Sequence, residues 1–481
     1  MESGAAPEDL LYERLARDVA SLIARGALRP GDRLPSVRRY CRERGVSIAT
    51  VLSAYRRLEN EGLVEARPKS GHFVRRQVTP PAVRPRTRLA LSPSKVSVST
   101  SVTALLESMR DPTVVPLGGG AFDPELLPIR ALNRTLAALA RELGTAGAAY
   151  DMPPGLASLR RQLARRSVHW GCALADDDFV TTVGAMEALH LALRVTTRPG
   201  DTVAVASPTY FGLLQLVEEL GLRVIEVPAY PGTGLDLDAL DTVLKEARIS
   251  ACLVMTTFDN PLGSLMSDAA KERLVRTLEK HDVPLIEDDI YGELAFDGRR
   301  PRPAKAFDRK GQVLLCGSVS KTLAAGYRVG WIVPGRYREK VERLKFATTV
   351  ATPTLLQMAV AEYLANGGYD RHLRTLRGHL GTEVRRYRQA IAGAFPTGTV
   401  VSEPLGGYVL WVELPGEIDA LELQARALER GIAIAPGPIF SARRKFPACV
   451  RISCIRRMGP DIANAVEIVG ELASKMARRP A

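Results

Sequence analysis

Two kinds of periodicity divide the chain. At the start, LYERLARDVASLIARGAL places Leu11, Leu15, Val19, Leu22 and Ile23 three and four residues apart, on one face of a helix that Arg29-Pro30-Gly31-Asp32 stops. After Pro35-Ser36, VRRYCRERG predicts a short helix ending at Gly45. Ser47 suits the N-cap of a third helix that runs to Asn60 and is closed by Gly62. LVEAR and HFV are β-prone runs around Pro68-Lys69-Ser70-Gly71, the chemistry of a hairpin. Three short helices and a hairpin predict an α+β winged helix-turn-helix over residues 1–77.

Residues 78–95 carry four prolines and four basic residues without apolar periodicity. They predict a semi-extended linker, taken to residue 110. From there to residue 481 the pattern changes. Helical runs such as GAMEALHLALRV alternate with short apolar strands, TVAVAS, ACLVMTT, PLIED and VLLCGS. That alternation predicts a multidomain chain whose larger part is α/β with a largely parallel sheet.

Composition narrows the class. A chain of 481 residues with 46% apolar and 25% charged positions has material for two or three folded domains. No apolar run is long enough to span a membrane, and MESGAAPEDL lacks the pattern of a signal peptide, so a cytoplasmic protein without a membrane partner is expected. The six cysteines are scattered without a Cys-x-x-Cys pair, which argues against a disulfide framework or a metal site. The net charge is +13, and residues 1–77 hold 15 Lys and Arg against 10 Asp and Glu. A polyanionic partner fits that bias.

In a helix-turn-helix the second helix of the motif lies in the major groove, so the partner expected here is double-stranded DNA. Ser47, Ala49, Thr50 and Ser53 are small enough to approach base edges. Arg38, Arg56 and, in the wing, Lys69 beside Gly71 are placed to meet phosphates. The other reading of these arginines is a solvated face on a protein-binding module. From Leu11 to Val74 the chain resembles the GntR-family winged helix, through RPGDRLPSVR, GVSIATVLSAYRRLENEGLV and KSGHFV. Tyr40 and Cys41 depart from that family's usual acidic or small residues.

The larger part carries a second constellation. In GSVSKTLAAGYRVGW, Lys321 follows an apolar strand among small residues, with Ser318 and Arg328 flanking it. PLIEDDIYGEL ends a strand at Asp288, with Tyr291 three residues on. Asn260 lies in FDNPLG, Tyr210 in SPTYFG, and Gly184, Ala185 and Met186 open a helix. Taken singly, Lys321 reads as a surface lysine and Asn260 as a turn residue. Together they supply what pyridoxal 5'-phosphate needs: an amine for a Schiff base, an anion at the ring nitrogen, a phosphate cradle at Gly184–Met186, Ser318 and Arg328, a ring to stack on, and donors to the phenolate oxygen.

Residues 111 to 475 resemble a fold type I, class I/II aminotransferase. The likeness implies that Lys321 is the Schiff-base lysine, Asp288 the pyridinium partner, and Tyr291 and Asn260 the phenolate contacts. It also implies that Arg451, in CVRISC, takes a substrate carboxylate and that Tyr150, in AAYDMPPG, reaches the phosphate of a neighbouring subunit. The fusion of both parts is similar to the MocR subfamily of GntR regulators, with their GabR-like and PdxR-like members. That likeness implies a head-to-tail homodimer and a regulator in which an amino compound, or the cofactor itself, changes DNA affinity. The alternative is a working aminotransferase with an accessory DNA module.

Overall fold

The computed structural model describes residues 11–477, apart from 26, 61–62, 68–69, 75–88, 109, 121 and 145–147. The N-terminal helices are α1 (Leu11–Ala24), α2 (Val37–Arg44) and α3 (Ile48–Asn60), followed by β1 (Val64–Arg67) and β2 (Gly71–Val74). Each boundary has a local cause. The Ser36 hydroxyl accepts from the Arg39 amide at 3.3 Å and starts α2, and Gly45 ends it with φ of +65°, a conformation that favours glycine. The Ser47 hydroxyl accepts from the Thr50 amide at 3.1 Å and starts α3. The strands β1 and β2 pair antiparallel with Val64 opposite Val74.

Leu15 and Val19 of α1 meet Val51, Tyr55 and Leu58 of α3 in a core of their own, which β1 and β2 close with Val64 and Val74. Leu11 is exposed, so the buried face of α1 begins one turn later than the spacing suggests. Tyr40 belongs to this core. Its ring lies 5.9 Å from that of Tyr55, whose hydroxyl donates to the Pro35 carbonyl at 2.8 Å. Its departure from the family pattern is therefore a matter of packing.

The main sheet runs, edge to edge, through Ser94–Lys95, Arg223–Tyr230, Thr202–Ser207, Ala251–Val254, Leu285–Asp288, Val313–Ser318, Gly330–Val333 and Val180–Thr182. The five strands from Arg223–Tyr230 to Val313–Ser318 are parallel, and Gly330–Val333 is antiparallel to both its neighbours. All four strands read from the sequence lie in this parallel block. They are buried on both faces, which is why each reads as a continuous apolar run.

Two features differ from the expectation. The linker assigned to 78–110 ends earlier, because Ser94–Lys95 pairs with the sheet edge and Ser99–Ser108 is a helix packed on the large domain. The Glu218 carboxylate fixes that helix start by accepting from the amides of Val98 and Ser99 at 3.0 and 3.1 Å. Residues 78–88 of the linker lie outside the described residues. The second feature is a separate antiparallel sheet, Val400–Val401, Val409–Glu413, Cys449–Ser453 and Ala435–Pro436. It packs with the helices Gly368–Ala394 and Pro460–Ala477 around a second core that includes Tyr387, Leu410, Val450 and Val466. Its main strands, VLWVE and CVRIS, are almost wholly buried and resemble parallel strands in sequence.

Candidate functional site

Parallel strands end together, so residues at their C-terminal ends share one side of the sheet. A cavity of about 740 Å³ lies there. Asp288 closes its strand, Lys321 lies three residues beyond the next, and the second sheet contributes Arg451. Lys321, Asp288, Tyr291, Asn260, Tyr210, Ala185, Met186, Arg328 and Arg451 all line the cavity. The structure thus brings together nine residues that stand up to 266 positions apart in the chain.

The Lys321 amine donates to the Gly120 carbonyl at 2.6 Å. Arg451 is 2% exposed and spans four groups: it donates to Asn260 Oδ1 at 3.2 Å and to the Gly118 carbonyl, and its guanidinium lies 5.8 and 5.5 Å from the Phe211 and Phe440 ring centroids. Its Nε is buried with no partner among the described residues. A guanidinium can only donate, so Asn260 turns its oxygen toward Arg451 and its NH2 group the other way. Burial raises the Asp288 carboxyl to about 7, against which Lys321 acts in the lowering direction. The Tyr291 hydroxyl donates to that of Tyr408 at 3.0 Å, and burial raises both phenols above their usual range.

The helix Ala185–Thr196 starts at the cavity with no side chain capping it. Gly184 precedes it at φ of +78°, and a Cβ there would overlap the Arg328 guanidinium. Arg328 is held by the carbonyls of Val183 and Ala325 at 3.1 and 3.2 Å and by the Ser320 hydroxyl at 3.4 Å. This brings an arginine to a helix N-terminus, the two usual features of a phosphate site.

Two residues expected at the site, Gly184 and Ser318, are not part of the cavity lining, although Gly184 lies against Arg328. The Ser318 hydroxyl accepts from the Ser320 amide at 3.2 Å, while Ser320 lines the cavity beside Arg328. Strand alternation stops at Ser318, so which of the two serines faces the cavity is not legible from SVSK. Tyr150, expected at a neighbouring subunit's phosphate, is 75% exposed. Reading the sequence missed Ser320, Tyr408 and the Gly118–Gly120 segment. The run of three glycines was the available signal, since at Gly118 a Cβ would come within 2.6 Å of the Ile434 backbone.

On the N-terminal module, Arg38, Ser47, Ala49, Ser53 and Arg56 are exposed and Thr50 and Gly71 are half-buried. Ala49, Ser53 and Arg56 follow one face of α3 by their spacing. Ser47 and Thr50 share a hydroxyl contact of 2.7 Å, so both are engaged with the helix start. Lys69 lies outside the described residues. Ile48 and Leu52 were not anticipated, and both are exposed on α3 next to Ala49 and Ser53.

The donor set fits pyridoxal 5'-phosphate on three observations. An uncapped helix start meets Arg328. The buried Asp288 carboxyl accepts from the Ile290 amide at 3.2 Å and has no cation bonded to it among the described residues. The Arg451 Nε is buried and unpartnered among them. Residues 113–467 match the model of the aminotransferase class I and II family, and residues 11–74 match that of the bacterial regulatory proteins of the gntR family. The HTH-type transcriptional regulator YdcR of Escherichia coli (strain K12) is 39% identical over 96% of this chain and 98% of its own. The multiple substrate aminotransferase of Thermococcus profundus superposes on 79% of this chain and 96% of its own, with a TM-score of 0.74 and 27% identity. LysN, the α-aminoadipate aminotransferase of Thermus thermophilus, solved with N-(5'-phosphopyridoxyl)-L-leucine, covers 79% of this chain and 99% of its own at a TM-score of 0.72 and 28% identity. The chain belongs to the class I and II aminotransferase family and, within it, to the MocR-like proteins that carry a gntR-family winged helix ahead of a pyridoxal-phosphate-binding domain.

Proposed function

We propose that this chain is a cytoplasmic transcriptional regulator whose large domain holds pyridoxal phosphate on Lys321 and senses an amino compound or the cofactor. The observation that carries this reading is the presence, in one chain, of a gntR-family module and a cavity where Lys321, Asp288, Arg328 and Arg451 converge. When bound, the cofactor supplies an aldehyde that condenses with amines and a ring that withdraws electrons. The residues around it bind and orient. Asp288 would pair with the ring nitrogen, Tyr291 and Asn260 would hold the phenolate oxygen, and Tyr210 would pack on the ring. Gly184, Ala185, Met186, Ser320 and Arg328 would hold the phosphate, and Arg451 would grip a carboxylate on the amino compound.

The exposed Tyr150 suits a role in the partner subunit's site, as in a head-to-tail homodimer. On the DNA side, Arg38 and Arg56 meet phosphates, Ser53 and Ala49 approach bases, and Ile48 and Leu52 suit thymine methyl groups. A ligand shifts DNA binding only if it favours one of two arrangements. Anisotropy titrations of operator DNA with and without cofactor and amines test this, and one affinity in every state overturns sensing. The near-complete set of reactive groups also favours a second reading, transamination, which sustained turnover of an amino acid with a 2-oxo acid would establish.

A further inference from the structure

The residues on either side of Lys321 are held by different parts of the fold. On its N-terminal side, the Ser320 amide donates to the Ser318 hydroxyl at 3.2 Å. On its C-terminal side, Thr322 is buried and receives two bonds from the helix Gly368–Ala394. The Tyr369 hydroxyl donates to Thr322 Oγ1 at 3.0 Å, and His372 Nε2 lies 2.8 Å from the Thr322 carbonyl oxygen. A carbonyl oxygen only accepts, so the His372 ring carries its proton on Nε2. Nothing in the sequence around Lys321 signals this helix, which lies about 50 residues further on.

The same helix grips the other half of the cofactor site. Arg377 donates to the Glu293 carbonyl at 2.5 Å and to its carboxylate at 3.0 Å. Glu293 sits two residues after Tyr291, and Arg300 bridges it to Asp289, next to Asp288. One rigid helix therefore sets the position of the lysine relative to the carboxylate and phenol it works with. A displacement of even about 0.5 Å between such groups is functionally significant.

We propose that His372 is a positioning residue for Lys321, acting through the Thr322 carbonyl, with Tyr369 as its second support. This rests on the reading of Lys321 as the cofactor lysine. The test uses the full-length protein loaded with pyridoxal phosphate and follows the pH midpoint of the visible cofactor band, together with borohydride trapping and peptide mapping. His372→Leu removes the donor, His372→Gln restores an N–H at a similar reach, and Tyr369→Phe removes only a hydroxyl. The expected result is a midpoint shifted by about half a unit or more in His372→Leu, a smaller shift in Tyr369→Phe, and near-native behaviour in His372→Gln. Should His372→Leu fail to fold, Tyr369→Phe and His372→Gln carry the comparison. A native midpoint in both His372→Leu and Tyr369→Phe, with the band still fixed on Lys321, overturns the positioning role alone. A wild-type chain with no trapped adduct on Lys321 overturns the cofactor reading and this inference with it.

Discussion

The two functional regions use the same residue type in opposite surroundings. Arg38 and Arg56 stand exposed on the winged helix, while Arg451 is 2% exposed beneath two aromatic rings. An exposed guanidinium keeps its water, contributes little to folding, and offers a charge that any phosphate backbone can use. A buried one needs a partner for each N–H, and one left without is destabilising. The first region is built to meet a large partner from outside. The second is built to surround a small one, and it keeps polar groups where burial opposes them.

Removing the covalent anchor should give the largest effect. Lys321→Ala is expected to abolish any borohydride-fixed adduct while the chain stays folded, because among the described residues the Lys321 amine has one hydrogen bond to give up. Mass mapping of the reduced protein checks this, and an adduct retained in the variant would move the anchor elsewhere. The winged helix offers no single residue whose loss should be so complete.

Asp288 sharpens the contrast further. Its carboxyl is raised from 3.8 to about 7 by burial. A carboxyl raised on folding stabilises fully only below its unfolded value, and the contribution is lost as pH rises through about 7. Asp288→Asn removes that ionisation. It should therefore raise the stability of the cofactor-free chain at pH 8 by up to about 4 kcal/mol, with little gain at pH 4, while weakening cofactor retention. Denaturant melts at the two pH values, paired with cofactor binding, separate the effects. Equal stability of variant and parent at pH 8 would mean that Asp288 is solvated in the folded chain.

On the exposed side the effects are smaller and spread out. Arg38→Gln or Arg56→Gln should weaken DNA binding several-fold for specific and nonspecific sequences alike, and each should reduce the salt slope by about one. Unchanged slopes would take these side chains out of the interface.

The same contrast explains what could be read from sequence. The winged helix is local: its caps, turn and hairpin involve residues a few positions apart, so its three helices and two strands were legible from spacing. The parallel strands were legible because double burial leaves unbroken apolar runs. The cofactor site was legible only through short motifs in a known order, because its contacts are remote. Lys321 meets Gly120 across 201 positions and Arg451 meets Gly118 across 333, and no periodicity reports such pairings. Ser318 was placed in the cavity instead of Ser320 because the strand ends between them. The second sheet is not legible as a separate unit because its buried runs, VLWVE and CVRIS, look like those of the parallel block and carry no mark of their antiparallel pairing.

Ser47 carries the smallest expected effect and the finest distinction. The sequence points to it both as the N-cap of α3 and as a residue at the DNA surface, and its hydroxyl, which accepts from the Thr50 amide and touches the Thr50 hydroxyl, forms that cap. Losing such a cap costs about 1 kcal/mol of module stability. Ser47→Ala should therefore lower the melting point of the winged helix slightly and leave the salt slope unchanged. Discrimination between operator and random DNA should fall only as far as α3 frays. If discrimination fell while stability held, the hydroxyl would be reading a base, and the exposed region would contain one residue as specific in its contacts as those of the buried site.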